Sequence, residues 1–176
     1  MGGKVAAAIP GRRRLPPAVL KALVLVAPAP PGPLSLPPDM KEQQIRAYDS
    51  TTNAEAVIRS VLTAPGSPAL TDAVVRDLAG DMVRGNEFAK YAWPHYGSAE
   101  DIRPLFSLIE VPVLVVAGKS DVIESPGKMI TEVQEDLNSR RSGQAKLVII
   151  KDSGHLLPIE KPNEVASAIK EFVQAL

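Results

Sequence analysis

The sequence contains no cysteine, which removes disulfides, thiolate nucleophiles and thiolate metal sites together and fits a reducing, cytoplasmic setting. It holds only two histidines, His95 and His155, too few for a histidine-built metal centre, and nothing in it calls for a cofactor. Excess charge of either sign is absent too. Twenty basic and twenty acidic side chains cancel, so no broad field draws in nucleic acid or an anionic membrane, and small molecules remain as the expected partners. No apolar run is long enough to span a bilayer: the richest stretch, residues 18–38, contains Lys21 and is broken by six prolines from Pro28 to Pro38. Its N-terminal apolar patch precedes Arg12-Arg13-Arg14, the reverse of a secretory signal's order, so no targeting segment is read. Internal repeats, heptads and charge blocks are also missing.

What is present is α/β alternation. Ala22 to Val26, Val113 to Val116 and Lys146 to Ile150 are short, continuous apolar runs between turn signals, the pattern of parallel strands buried on both faces. Gly2 to Ile9 reads as a short helix of small residues stopped by Pro10-Gly11. More than eighty residues separate the first two strands, too many for one crossover, and an inserted helical subdomain accounts for them. Asp39 to Ser50, Asn53 to Leu62 and Asp72 to Arg84 have helical apolar spacing, with Asp39, Asn53 and Thr71 as candidate N-caps. The segment Ala64-Pro65-Gly66-Ser67-Pro68 separates two of them. A last helix opens at Pro162-Asn163-Glu164 and carries the apolar stripe Val165, Ala168, Ile169, Phe172 and Val173. Three such strands are few for a parallel sheet, and the first should present an open edge through which chains could self-associate.

The chemistry-bearing residues follow the second and third strands. Asp121 comes after Gly118-Lys119-Ser120, and His155 after Asp152-Ser153-Gly154. Loops at the carboxyl ends of parallel strands open on one side of the sheet, so these two side chains can meet across 34 positions of sequence. A carboxylate that fixes a histidine's tautomer, and a histidine that takes a nucleophile's proton, form two thirds of a hydrolytic triad. Gly118-Lys119-Ser120 is not a phosphate loop, because position 113 holds valine where the first glycine belongs. Ser120 and Ser153 read as turn residues rather than nucleophiles, since neither lies in a strand-to-helix elbow. Tyr91, Trp93, His95 and Tyr96 form the one aromatic cluster; Trp93, His95 and Tyr96 are weak candidates for a substrate pocket, with simple packing the plainer explanation. Arg12-Arg13-Arg14 reads as a solvated connection.

Four segments together resemble the C-terminal portion of the α/β-hydrolase superfamily of esterases, lipases and peroxidase-like enzymes. They are Met1 to Ala6, Leu23 to Pro28, Val111 to Gly118 with Asp121, and Ser153 to Pro162. The resemblance implies a partial α/β-hydrolase fold: three mainly parallel strands with flanking helices, a core of residues 1–38 and 107–176, and a helical lid over 39–106. It makes Asp121 the acid, His155 the general base, and Met1 the residue after the nucleophile, whose backbone N–H helps form the oxyanion hole. Met-Gly-Gly usually follows a serine nucleophile, whereas relatives with an aspartate nucleophile carry Trp-Gly-Gly. The Gly-x-Ser half of the elbow and the earlier strands are not among these residues, so the implied function is that of a truncated hydrolase for small esters, lactones or similar acyl compounds. Little or no hydrolysis is expected of the chain as given. The alternative is a noncatalytic binding or partner-dependent module.

Overall fold

A computed structural model describes residues 1–12, 19–65 and 70–176. Its sheet has three strands in the order β1 (Leu23–Val26), β2 (Val113–Gly118), β3 (Ala145–Ile150), all parallel, with Leu23 opposite Val113 and Val113 opposite Ala145. This is the open α/β arrangement expected from the alternating runs. Every residue of β2 is buried, because it alone has a strand on each side and helices above and below. Its alternate side chains divide between two cores. Val113, Val115 and Ala117 join one cluster, and Leu114 and Val116 join the other. Each such valine or leucine taken fully out of water contributes about 1.5–3 kcal/mol.

The first core is closed by α1 (Gly2–Gly11), α6 (Arg103–Phe106) and a helix that runs from α7 (Pro126–Lys128) through a π-helical stretch at Met129–Gln134 into α8 (Glu135–Arg140). Ala7 and Ala8 of α1 and Phe106, Met129, Val133 and Leu137 supply its buried side chains. The second core lies under α9 (Leu157–Glu160) and α10 (Pro162–Gln174), through Leu157, Val165 and Phe172. Between β1 and β2 come α2 (Pro38–Arg46), α3 (Thr51–Val57) with a π-helical end at Ile58–Leu62, α4 (Asp72–Arg84), and α5 (Glu87–Ala92) with a π-helical end at Trp93–Gly97. Ala54, Ile58, Val75 and Ala79 form a third, separate core at the α3–α4 contact.

Several boundaries differ from the sequence reading for local reasons. α1 continues through Pro10 to Gly11, since a proline forfeits its own N–H while the Arg12 amide beyond it still reaches Ala8 O and Ile9 O. Ser50, not Asn53, caps α3: its hydroxyl accepts from the Asn53 N–H at 3.1 Å. Asp39 sits in the first turn of α2 behind Pro38, with Pro37 at the cap. Thr71 caps α4 as expected, accepting from the Val74 N–H. Val173 falls outside the buried stripe of α10 and is 54% exposed. β3 is not buried on both faces. It is an edge strand whose Lys146 and Ile149 are exposed. Arg12 is exposed, whereas Arg13, Arg14 and Gly66-Ser67-Pro68 lie outside the described residues.

Candidate active site

The loops after β2 and β3 meet at the carboxyl end of the sheet. Lys119 N–H donates to Ile150 O at 2.8 Å, and Ser120 N–H to Ser153 O at 3.0 Å. Glycine is required on both sides of this junction. A Cβ on Gly118 would sit 2.2 Å from Gly154 O, and one on Gly154 would sit 2.8 Å from the Leu62 O and Ala64 N backbone atoms. The histidine loop is thus clamped between the end of β2 and the end of the α3 helix, whose Leu62 carbonyl accepts from both His155 N–H and Leu156 N–H.

Held this way, His155 Nδ1 lies 2.8 Å from Asp121 Oδ2. Asp121 Oδ1 accepts from the backbone N–H groups of Ile123 and Glu124 at 2.8 and 3.0 Å, so the carboxylate is positioned from two directions and its side chain is fully buried. Burial pushes its pKa upward, but the hydrogen bonds from His155 and from the Glu124 and Ile123 amides, with the His155 charge, outweigh that and hold it below the usual value. An ionised Asp121 fixes the proton of a neutral His155 on Nδ1. Nε2 is then the basic nitrogen, and His155 lines a cavity of about 560 Å³.

Met1 and Trp93 line that same cavity. His95 and Tyr96 do not. They lie with Tyr91 and Phe88 on a separate, shallow depression, where the Tyr91 and His95 rings stack at 4.4 Å between centroids. Apolar walls come instead from residues to which the sequence reading gave no role, among them Leu34, Met40, Val57 and Val61. Ser120 and Ser153 belong to the junction: Ser153 is wholly buried, its hydroxyl donating to Ile150 O at 3.0 Å. Among the described residues, no group of three His, Asp or Glu side chains could hold a metal ion.

Three further ionisable residues enter the site without having been singled out in the sequence. Glu160, on α9, accepts from Ala64 N–H at 2.7 Å through one oxygen and from Gly154 N–H at 2.8 Å through the other, tying the histidine loop to the α3 helix end. Glu124 is buried on the cavity wall, and Lys128 Nζ stands 3.6 Å from its Oε2. The buried Lys4 of α1 donates to Gly32 O at 2.8 Å and Ser98 O at 3.2 Å, joining the helix to the segment after β1 and to the end of α5. Glu160 and Lys4 lie within the Ser153–Pro162 and Met1–Ala6 segments already marked by their resemblance; Glu124 carried no comparable signal.

Comparison with known proteins agrees with the fold. Solved structures similar to the chain include a thermophilic esterase from Thermogutta terrifontis, at 24% identity and a TM-score of 0.75, covering 99% of this chain and 62% of that one. The enol-lactonase from Burkholderia xenovorans LB400 has 18% identity, a TM-score of 0.75 and coverage of 99% and 63%. A hydrolase from Pseudomonas aeruginosa PA01 has 21% identity, a TM-score of 0.72 and coverage of 97% and 61%. The chain therefore spans about three fifths of the length of these proteins, and at such identities the likeness speaks to fold alone. Comparison with curated proteins found no match. The family model described as the Alpha/beta hydrolase family matches residues 1–168, and this chain belongs to that family.

Proposed function

We propose that this chain supplies the acid and the general base of a serine-type hydrolase for small esters, lactones or related acyl compounds. The observation that carries the reading is the 2.8 Å contact between the buried Asp121 and the His155 ring on the cavity wall. In it, Asp121 orients His155 and balances its charged form. His155 Nε2 takes the proton of a serine hydroxyl as that oxygen attacks the acyl carbon, then returns it to the leaving alcohol. The Met1 N–H donates to the oxyanion, residues 39–106 act as a lid over the cavity, and residues 1–38 and 107–176 form the core. Relatives described as an esterase and an enol-lactonase are consistent with an acyl substrate.

No Gly-x-Ser-x-Gly occurs among the 176 residues, so the reading assigns the nucleophile to a serine immediately ahead of Met1 and expects the chain by itself to hydrolyse little. The test combines the intact mass of the native protein with hydrolysis of p-nitrophenyl butyrate. A product carrying Gly-x-Ser before Met1 whose rate falls on the order of 10³-fold or more in His155→Ala supports the proposal. A rate indifferent to both His155→Ala and Asp121→Asn overturns it.

A second reading, a noncatalytic or partner-dependent module, draws on the β1 edge. Leu23 and Ala27 N–H donate to Pro112 O and Val116 O of the β2 side. In a parallel ladder alternate residues face alternate neighbours, so Val24 and Val26 present their N–H groups to the other side, where no strand lies among the described residues.

A further inference from the structure

Glu124 is the one side chain on the cavity wall that is both ionisable and more than nine tenths buried, at 3% exposure. Its Oε2 has no hydrogen-bond donor, since Lys128 Nζ is 3.6 Å away and is itself committed to Ile123 O at 3.2 Å. Asp121 cannot serve it, because an ionised carboxylate has no hydrogen to donate. A buried acceptor without a donor destabilises the fold unless something completes it, and Glu124 borders the cavity. The amide oxygen of Gln44, on α2, is likewise buried without a donor, and Gln44 also lines the cavity. The remaining walls are largely apolar. The cavity therefore combines a largely hydrocarbon lining with two residues whose acceptors are buried and unpaired.

We propose that Glu124 is a specificity-determining residue that accepts a hydrogen bond from a hydroxyl group carried by the acyl substrate. The nearby Lys128 ammonium already offsets the carboxylate's charge, so a neutral donor is favoured over a ligand cation. The inference rests on the cavity being the acyl site of the proposed hydrolase. A site built to bond a hydroxyl rejects the analogue lacking it, because the protein group is then left buried and unpaired.

Trp93, the sole tryptophan, lines the cavity and reports occupancy by its fluorescence. The full 176-residue chain is titrated with methyl hexanoate and with methyl 3-hydroxyhexanoate and methyl 6-hydroxyhexanoate. At least one hydroxy ester should bind about tenfold more tightly than the plain ester, as one hydrogen bond to a charged group provides. In Glu124→Leu that preference should disappear while the plain ester binds as well or better, and Glu124→Gln, which keeps an acceptor oxygen, should retain part of it. Far-ultraviolet circular dichroism verifies that both variants fold. Equal binding of all three esters to the native chain, or a preference that survives in Glu124→Leu, overturns the role of Glu124 and leaves the acyl cavity standing. Failure of every ester to bind overturns the acyl-site reading together with this one.

Discussion

Asp121 and Glu124 are three positions apart and have opposite electrostatic fates. Hydrogen bonds hold Asp121 below the usual aspartate value, whereas burial raises Glu124, only partly relieved by the charges of Lys128 and His155. A depressed carboxyl contributes stability that is fully present above its unfolded value, near 3.8, and is lost as pH falls through the lower folded value. A raised carboxyl does the reverse: its charged form destabilises the fold above the folded value, and the penalty fades as pH falls toward the unfolded value near 4.5. Urea unfolding in a pH series should separate them. Asp121→Asn should cost about 1–3 kcal/mol at pH 7, with the gap to the native chain closing below about pH 4. Glu124→Leu should raise the midpoint at pH 8, and that gain should shrink on the way down to pH 4.5. A pH-independent difference in either variant would contradict the assignment.

At the scale of elements, the site depends on a loop and two helices held together by one carboxylate. α9 is a single turn, yet its Glu160 satisfies two backbone amides that belong to different segments, Ala64 after the α3 helix and Gly154 in the histidine loop. Each amide left unpaired by truncation costs about 1–3 kcal/mol. Glu160→Ala is therefore expected to lower unfolding stability by about 2 kcal/mol or more, and to speed hydrogen exchange at Ala64 and Gly154 before the β2 amides respond. Exchange that rises uniformly through the sheet would show that Glu160 acts on the whole fold rather than on the junction. The same junction explains why His155 keeps its place with 24% of its side chain accessible: its backbone is fixed by Leu62 O, and its ring by Asp121.

At the scale of the whole molecule, formal charge is balanced and no described helix is long and apolar enough to cross a membrane, so association is governed by surfaces rather than by a net field. The surface with the clearest unmet demand is the outer side of β1. Sedimentation velocity across a concentration series should show self-association of the chain, and Val24→Pro should reduce it. Proline removes an N–H that β2 does not use, so the β1–β2 pairing is expected to survive. Native and Val24→Pro chains that sediment identically as monomers would dismiss pairing at this edge.

The sequence alone determined whatever depends on neighbours along the chain. Uninterrupted runs such as Val113 to Val116 are strands because no polar face breaks them, and α4 spans Asp72–Arg84 because Thr71 caps it and Gly85 follows it. The meeting of Asp121 and His155 was legible for the same reason: each follows a strand, and strand ends converge in a parallel sheet. The family resemblance implied roles that spacing does not carry. Tertiary structure decided what depends on neighbours in space. It made β3 an edge strand although its apolar run resembles that of β2, because burial is set by how many neighbours a strand has. It divided the aromatic cluster, placing Trp93 on the His155 cavity and His95 and Tyr96 on another surface, because successive residues of a helical turn point in different directions. It also revealed Glu124 and Glu160. A glutamate in a sequence reads as solvated surface, and only packing can remove its water and oblige its oxygens to find other partners.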